Sequence, residues 1–514
     1  MSEQRWDLPP TWLWSTFGEV STIVGGGTPS AGDESNFDDQ GISWLTPADL
    51  TGYKGTYIAK GRRSLSVKGF SESAAKLLPP GAVLFSSRAP IGYCAIASNE
   101  LCTNQGFKSF ILVAESSPEY ARHYLLASTA YAESLSSGTT FKELSGARAA
   151  DMAFPLAPFL EQRRIVSKID SLTAKSKRAR DNLKYVPRLV EKYKQAILAR
   201  CFSGQMTSRW REENPDCVLD AKKVVQQIES DKLLFMSQSM RAFESKKRAG
   251  QKVTKPRELT VPDPVSSDQF AQLWSLPPEW QWLQIGCFAF VTKLAGFEYT
   301  DYVKYDPTGD LKVIKAENAG LNGFKPTDFS KIQSSSVAHL ERSILTGGEL
   351  LVVFVGAGTG QVALVPENDK FFLGPNIGMA RPYTQSVSPR YLELFLRSDA
   401  GKSLLLLSAK AVAQPSLSMG AIRSTPVALP SHGEQIEIVR RIESAFAWID
   451  RLASEATSAR KLIDHLDQAI LSKAFRGELV PQDPNDEPAS VLLERIRAER
   501  ASTPVVKRGR RKLA

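Results

Sequence analysis

Apolar residues recur at alternating steps of three and four along two long stretches of the chain, which is the spacing of a helix that packs along one seam. The stretches cover 161–206 and 434–479 and align without a gap at an offset of 273 residues. Because the heptads persist through both copies, they favour two helices that pack on each other as an antiparallel coiled coil. Two separate amphipathic helices, each lying on its own domain, remain the alternative. The predicted seam consists of Ile165, Ile169, Leu172, Leu183, Val190 and Ile197 in the first copy and Ile438, Ile442, Ile449, Leu452, Ile463, Leu466 and Ile470 in the second.

One proline interrupts the first of these helices. Pro187 has no backbone N–H, and its ring collides with the preceding turn of a helix. The first helix is therefore predicted to kink or to split at Val186.

Short apolar runs outside the two helices are bounded by Gly, Pro and Asn, which is typical of strands. Helical spacing follows these runs at 118–136 and at 389–407. The variable parts of the chain are therefore predicted to be mixed α/β blocks. The predicted strands are 82–85, 110–113, 350–355 and 361–365.

The sequence indicates a tandem duplication with a pseudo-twofold repeat. The opening Leu8-Pro-Pro-Thr-Trp-Leu-Trp14 returns as Leu276-Pro-Pro-Glu-Trp-Gln-Trp282, and each copy ends in one of the long helical stretches. The predicted organisation is a first block at 1–157, a helix at 158–206, a charged linker at 207–269 with a possible helix over 219–243, a second block at 270–430, a helix at 431–480, and a basic tail at 481–514 whose end is expected to be disordered.

The composition is that of a globular protein of several domains, with 514 residues, 42% of them hydrophobic and 23% charged. No apolar run approaches the roughly 18 residues that span a bilayer, and no signal peptide opens the chain. A soluble, cytoplasmic protein without a membrane partner is expected. The five cysteines include no C-x-x-C pair, so reduced, packed thiols are predicted, and four scattered histidines give little material for a metal site.

A formal net charge of +10 points towards a polyanionic partner such as nucleic acid. Arg, Lys, Thr and Gln on loops beside aromatic residues suit phosphate contacts and hydrogen bonds to base edges. Any one such residue is also compatible with an ordinary solvated surface charge. The candidate DNA-binding residues are Lys54, Lys60, Arg62, Arg63, Lys68, Arg88, Thr139, Thr140 and Lys142 in the first block, and Lys293, Lys312, Lys315, Lys325, Arg381, Lys410 and Gln414 in the second.

The motifs that suggest an active site lack the neighbouring sequence that such sites require. The glycines from Gly356 to Gly360 are followed by an apolar run and not by a helix, so a hairpin is predicted there instead of a nucleotide cradle. Gly401-Lys-Ser403 lacks the earlier glycine of a phosphate loop, and no N-P-P-Y or D-P-P-Y is present. No catalytic, cofactor-binding or metal residue is predicted. A DNA adenine methyltransferase-like enzyme and a protein-binding scaffold without DNA contact remain the alternatives to a DNA-binding protein.

Taken in order, these segments resemble the specificity subunits of type I restriction–modification systems, the HsdS family, over nearly the whole chain. The two openings, the pairs Glu161-Gln162 and Glu434-Gln435, and the helix exits carry the resemblance in both copies. The segments at 25–30, 42–50 and 136–145 carry it in the first block alone. The second block departs from this pattern, with 296–300 and 313–318 in place of the first two of these segments.

The resemblance implies a non-catalytic reader of double-stranded DNA. Its two target-recognition domains, at 1–157 and 270–430, would each bind one half of an asymmetric, bipartite site, and the paired helices would set the number of unread base pairs between the halves. Two methyltransferase subunits using S-adenosylmethionine and restriction subunits using ATP and Mg²⁺ would assemble on this chain, which itself would hold no cofactor. The divergence of the blocks implies that they read different sequences.

Overall fold

Two units form the structure, and one of them joins parts of the chain that are far apart in sequence. Unit 1 comprises 1–184 together with 456–514, and unit 2 comprises 185–455. The structure is a computed structural model that describes residues 6–113, 115–138, 142–218, 220–250, 255–256, 258–326, 329–367, 369–407 and 416–502. The first block therefore shares its unit with the end of the second helix, which the repeat pattern alone did not indicate.

Unit 1 begins with a mixed α/β block. Its sheets have the strand orders β2-β9-β6-β7-β4 and β5-β3-β8, and β1 pairs with β10. The strands are β1 (Leu13–Thr16), β2 (Ser21–Gly25), β3 (Phe37–Leu45), β4 (Tyr57–Ile58), β5 (Arg63–Leu65), β6 (Val83–Ser87), β7 (Ile91–Ala97), β8 (Cys102–Thr103), β9 (Phe107–Leu112) and β10 (Ala153–Leu156), and the helices are α1 (Phe17–Val20), α2 (Val67–Ser71), α3 (Pro118–Ala127), α4 (Thr129–Ser134), α5 (Gly146–Asp151) and α6 (Phe159–Leu183).

Unit 2 repeats this plan. The order β12-β21-β18-β19 matches β2-β9-β6-β7, β16-β13-β20 matches β5-β3-β8, and β11 pairs with β22 as β1 does with β10. The elements are α7 (Val186–Phe202), α8 (Ser208–Glu213), α9 (Ala221–Arg248), α10 (Ser267–Phe270), β11 (Gln281–Gln284), β12 (Ala289–Lys293), α11 (Gly296–Tyr302), β13 (Leu311–Ile314), β14 (Ala319–Gly320), β15 (Gly323–Phe324), β16 (Ser330–Ile332), β17 (Ile344–Leu345), β18 (Leu350–Val353), β19 (Val362–Leu364), β20 (Phe371–Leu373), β21 (Ile377–Pro382), α12 (Pro389–Arg397), α13 (Asp399–Leu406), α14 (Met419–Ser424), β22 (Pro426–Leu429) and α15 (His432–Phe475), followed in unit 1 by α16 (Ala489–Ser502).

The predicted fold class, two α/β blocks with long helices in a tandem repeat, is confirmed. The four predicted strands correspond to β6, β9, β18 and β19. Each of the two predicted helices after the strands is divided in two, into α3 and α4 and into α12 and α13. In the second case the Ser398 side chain accepts a hydrogen bond from Gly401 N at 3.0 Å, which starts a new helix one residue after the first one ends.

The first long helix breaks where its proline predicts. Helix α6 ends at Leu183, and α7 begins at Val186 with Pro187 in its first turn, where a missing N–H removes no helical hydrogen bond. The predicted single helix at 158–206 is therefore two helices, α6 in unit 1 and α7 in unit 2.

Antiparallel packing of the long helices is visible inside each unit. In unit 1, Arg180 of α6 binds Asp464 and Asp467 of α15 at 3.1 and 2.6 Å. In unit 2, Lys194 of α7 binds Asp450 of α15 at 2.6 Å. Apolar residues from both helices share a core with the block of the same unit, so each block is built onto a helix pair.

The predicted seam is wrong at two positions. Leu452 and Leu466 are 41% and 51% exposed, whereas Asp467, one residue on from Leu466, pairs with Arg180. At these two places the packed stripe of α15 thus lies one residue further along the chain than the heptad pattern predicts. Six of the predicted seam residues are buried, namely Ile165, Ile169, Ile438, Ile442, Ile449 and Ile470, and five are half-buried, namely Leu172, Leu183, Val190, Ile197 and Ile463.

The segment predicted as a linker is packed against the second block. Helix α9 buries Val224 and Ile228 in the core of unit 2, and Phe235 stacks on Tyr383 with ring centroids 5.5 Å apart. The charged residues that suggested a linker occupy the other faces of this amphipathic helix. The possible helix predicted over 219–243 within the linker at 207–269 corresponds to α9, and the structure adds that this helix packs on the second block.

The tail prediction also changes, because α16 packs on the first block. Its buried side chains Leu492, Leu493 and Ile496 belong to the core of unit 1. The basic segment at 507–512 lies outside the described residues. In the part of the chain that the structure describes, no helix is both long and apolar enough to cross a membrane.

Deletion of 481–514 is expected to destabilise unit 1 by about 5 kcal/mol, because three large apolar side chains leave its core at roughly 1.5–3 kcal/mol each. Hydrogen exchange of the amides in β6 and β9 measures this loss. Deletion of 503–514 alone is the matched control and is expected to leave the exchange unchanged. Equal exchange in both truncated chains would show that α16 contributes nothing to the unit.

Candidate nucleic-acid interface

The attachment of the first block to its helices centres on one buried carboxylate. Glu161 on α6 accepts hydrogen bonds from Trp12 Nε1 at 2.9 Å and from Gln482 Nε2 at 2.6 Å. Both donors are neutral, and burial raises the pKa of Glu161 despite these bonds. The first Trp of the repeated opening is therefore an anchor onto the helix.

Unit 2 has the same attachment with a different charge. Glu434 on α15 accepts from Trp280 Nε1 at 2.9 Å, from Thr207 Oγ1 at 2.6 Å and from Arg211 Nη1 at 2.5 Å. Here a guanidinium stands near the position that a neutral amide occupies in unit 1. The two carboxylates have equivalent places but unequal partners.

The glutamine beside each carboxylate accepts a hydrogen bond from the start of the helix that follows the strands, α3 in unit 1 and α12 in unit 2. Gln162 Oε1 accepts from Ser117 N at 3.0 Å, and Gln435 Oε1 accepts from Ser388 N at 2.8 Å. Ser117 also caps α3 through Tyr120 N. The repeated Glu-Gln pair is thus the point at which each block is oriented on its helix. The repeat revealed the pair, but composition and spacing gave no role for it.

Each helix exit meets the opening of the block in its own unit. Gly477 and Gly204 have positive φ values of 75° and 74°, as a helix terminus in the left-handed region requires. A Cβ would lie 2.2 Å from Pro9 Cγ at Gly477 and 2.5 Å from Pro277 Cγ at Gly204. The repeated Phe-x-Gly and Leu-Pro-Pro motifs are therefore two halves of one contact.

Most of the first-block DNA candidates lie around β3 and β5. Lys60 donates to Asp39 O at 3.1 Å, and Lys68 pairs with Asp33 at 2.8 Å. Arg62, whose side chain is 75% exposed, donates to Ala48 O at 3.0 Å and lies 3.5 Å from Asp49. Arg63 lies over the Phe37 ring at 3.4 Å, and Lys54 is exposed.

The other first-block candidates lie at a different place. Arg88, which follows β6, lies 3.7 Å from Glu143, and the same carboxylate binds Lys108 at 3.2 Å. Lys142 is exposed beside them. Thr139 and Thr140 lie outside the described residues.

The second-block candidates also separate into groups. Lys312 and Lys315 are on or directly after β13, and exposed Lys325 follows β15. Lys293, at the end of β12, lies 4.7 Å from the centre of the Phe354 ring. Lys410 and Gln414 lie outside the described residues.

Arg381, a predicted DNA contact, forms an ion pair within the second block. Its guanidinium binds the buried carboxylate of Glu349 at 3.0 Å and donates to Ile344 O at 2.7 Å. A charge that neutralises a buried carboxylate is needed inside the protein. The sequence does not indicate this pair, because the partner lies 32 residues away, directly before β18.

The glycine-rich turn is the predicted hairpin. Strands β18 and β19 pair antiparallel, with Val352 opposite Val362. Gly356 and Gly360 have φ values of 104° and 83°, which the turn needs. The motif that supported a methyltransferase-like enzyme is therefore a strand connection, and Gly401-Lys-Ser403 lies within α13.

Cysteines and metal-ligating residues form no reactive cluster among the described residues. All five cysteines are free, as predicted, and burial raises the pKa of Cys94 and of Cys201 to about 12. Within the described ranges, no group of three or more His, Cys, Asp or Glu side chains could hold a metal ion.

Comparison with known proteins finds one matching family, the type I restriction modification DNA specificity domain, over residues 9–184 and 291–455. The EcoBI type I restriction enzyme specificity subunit of Escherichia coli is 27% identical over 73% of this chain and 70% of its own. The MjaIX specificity subunit of Methanocaldococcus jannaschii is 33% identical over 35% of this chain and 42% of its own. The crystal structure of the HsdS subunit from Thermoanaerobacter tengcongensis has a similar fold, with a TM-score of 0.56 at 18% identity, over 93% of this chain and 100% of that one.

Proposed function

The chain belongs to the family of type I restriction modification DNA specificity domains, and from this premise we propose that its two blocks each read one half of a bipartite, asymmetric DNA site. One observation carries the proposal. The two blocks share strand order and helix attachment, yet differ in the residues on their sheets. Two blocks with the same backbone fold and different surface residues suit two DNA-binding domains that are attached in the same way but recognise different base sequences.

The long helices support a second part of the proposal, that the chain is a scaffold for two methyltransferase subunits and for restriction subunits. In unit 2, Tyr193 on α7 and Trp448 on α15 are 62% and 56% exposed, and Leu189 and Leu452 are exposed on the same two helices. Large exposed apolar side chains at this density are typical of a protein interface.

In this proposal the catalytic activities belong to the partner subunits, and the complex acts in the cytoplasm. This chain would bind no cofactor, and S-adenosylmethionine, ATP and Mg²⁺ would be bound by the other subunits. The relatives support this reading, since they are named as specificity subunits.

Exchange of residues 1–157 for the corresponding block of a relative is expected to change one half of the methylated site and to leave the other half unchanged. The graft should keep Trp12, Ser117 and Tyr120, because Trp12 and Ser117 bind the helix and the Tyr120 ring packs against Phe475 at 5.2 Å. Sequencing of modified adenines after methylation by the reconstituted complex reads out both halves.

The reciprocal exchange of 270–430 is the matched control and should change only the other half. A change in both halves after either exchange, or no bipartite site for the unaltered complex, would contradict the proposed function.

A further inference from the structure

Two strand pairs occupy the same place in the two blocks although their sequences do not match. In the first block, Ile42, Ser43 and Trp44 of β3 face Leu65, Ser64 and Arg63 of β5. In the second, Leu311, Lys312 and Val313 of β13 face Ile332, Lys331 and Ser330 of β16. Each pair continues on its other side into a parallel strand, β8 or β20. We call the pairs β3–β5 and β13–β16 the first and second ribbon.

The turn after each ribbon fixes the correspondence residue by residue. Thr46 N donates to Asp49 Oδ2 at 2.8 Å, and Lys315 N donates to Asn318 Oδ1 at 2.8 Å. Each bond closes a short 3-10 turn directly after the strand. Thr46 in the first block and Lys315 in the second are therefore structurally equivalent. Asp49 closes the turn in the first block, and Asn318 closes it in the second.

Both ribbons carry cations. Lys312 and Lys331 stand directly opposite each other, which destabilises an antiparallel pair unless opposite charge is nearby. Asp369 binds Lys312 at 2.5 Å, while no carboxylate among the described residues lies within ion-pair distance of exposed Lys331. The first ribbon has Arg63 at the start of β5, and Arg62 directly precedes it. Basic side chains at one structural place in two diverged blocks fit a common polyanionic ligand.

The equivalent positions differ in what they offer to that ligand. The Lys315 ammonium donates one hydrogen bond to Ser330 Oγ at 2.8 Å and lies 4.8 Å from the Tyr305 ring centre, which leaves two N–H donors. Thr46 Oγ1 donates its hydrogen to Asp49 Oδ2 at 2.8 Å, so its oxygen can only accept from a further group. One position is a donor and the other is an acceptor.

We infer that the turns directly after the two ribbons face the major grooves of their half-sites, where Lys315 specifies a guanine and Thr46 accepts a hydrogen bond from a base amino group. Each turn carries an exposed residue, Ala48 or Glu317, two positions after the reading residue, and guanine presents two acceptors in the major groove that suit a lysine. Lys331 and Arg62 contact phosphates beside the groove. The inference rests on the proposed function. It adds which part of each block contacts the bases and which hydrogen bonds Lys315 and Thr46 make to them.

Lys315→Thr tests the reading residue in the full complex with its methyltransferase subunits, with a library of randomised duplexes as substrate. Preference for guanine at one position of the second half-site is expected to fall on the order of 10- to 100-fold, with the first half-site unchanged. Thr46→Lys should alter one position of the first half-site alone. Lys331→Gln should weaken binding to all duplexes alike and reduce the salt slope by about one.

Lys223→Thr is the matched control, since Lys223 is an exposed lysine on α9 of the same unit, and it should leave every base preference unchanged. Thermal unfolding of each variant establishes that it is folded. If the unaltered complex methylates a bipartite site and Lys315→Thr keeps every base preference, the inference fails while the proposed function stands. If the unaltered complex shows no such site, the proposed function fails first.

Discussion

Replacement of Glu434 by glutamine is expected to destabilise unit 2 by about 3 kcal/mol, whereas Glu161→Gln should cost unit 1 only about 1 kcal/mol. The difference follows from the partners. Glu434 is fully buried and binds the guanidinium of Arg211, whose side chain is itself mostly buried. Removal of the carboxylate charge leaves that cation without its buried counter-ion. Glu161 binds only neutral donors, so the amide loses one hydrogen bond and no ion pair.

The measurement must resolve the two units, because a chain of two units has no single free energy of unfolding. Hydrogen exchange of amides in α12 reports on unit 2, and exchange in α3 reports on unit 1. Each variant is the control for the other, since the two glutamines stand at equivalent places. Equal losses in both units would show that the Arg211 ion pair adds nothing.

The pH dependence of unit 1 should change in Glu161→Gln as well. The native pKa of Glu161 is raised by burial, so between the unfolded pKa near 4.5 and the native pKa the folded state holds more protons than the unfolded state. The free energy of unfolding of unit 1 therefore falls as pH rises through this window. Glu161→Gln should remove that part of the slope, which exchange measured from pH 4 to pH 7 would detect.

Insertion of seven residues at matched places in the helix pair of unit 1 is expected to lengthen the unread spacer of the methylated site by about three base pairs. Seven helical residues add about 10 Å, and duplex DNA rises about 3.4 Å per base pair. Suitable places follow Ser176 in α6 and Asp467 in α15, on one side of the contact between Arg180 and Asp467. Seven residues keep the apolar stripe in phase.

An insertion in α6 alone is the control for the spacer experiment. It shifts every later contact of α6 against α15, including the Arg180 pair, and should reduce assembly instead of lengthening the spacer. Sequencing of modified adenines gives the spacer directly. An unchanged spacer after the matched insertion, in a complex that still methylates DNA, would contradict the role of the helices as a ruler.

Local patterns predicted the elements well, because they depend on neighbours in the chain. The four apolar runs with turn residues at their ends became strands, the glycines at 356–360 became a hairpin turn, and Pro187 marked the break between α6 and α7. The same logic predicted a possible helix over 219–243, where α9 lies, but it did not indicate that α9 and α16 pack on the blocks. Their charged residues dominate the composition, while two or three buried apolar side chains on one face, such as Val224 and Ile228, suffice to hold the helix on the block.

The candidate interface was predicted less completely. The basic residues near β3, β5 and β13 were found from composition, but their grouping into equivalent ribbons depends on strand registers that the diverged sequences conceal. Arg381 shows the limit most clearly, since nothing in a sequence distinguishes an arginine that neutralises buried Glu349 from one that faces solvent.

The duplication, the helical heptads, the α/β character of the blocks and the family all follow from the amino-acid sequence alone, because each is a periodic or repeated pattern along one chain. The helix end on which each block is built is visible only in the folded structure. Both helices end in Phe-x-Gly, so the motif suits either block equally. The structure packs Phe475 against Tyr120 in unit 1 and Phe202 against Tyr391 in unit 2, at 5.2 and 5.4 Å. The choice rests on contacts between residues hundreds of positions apart, and identical motifs carry no information about which distant partner they meet.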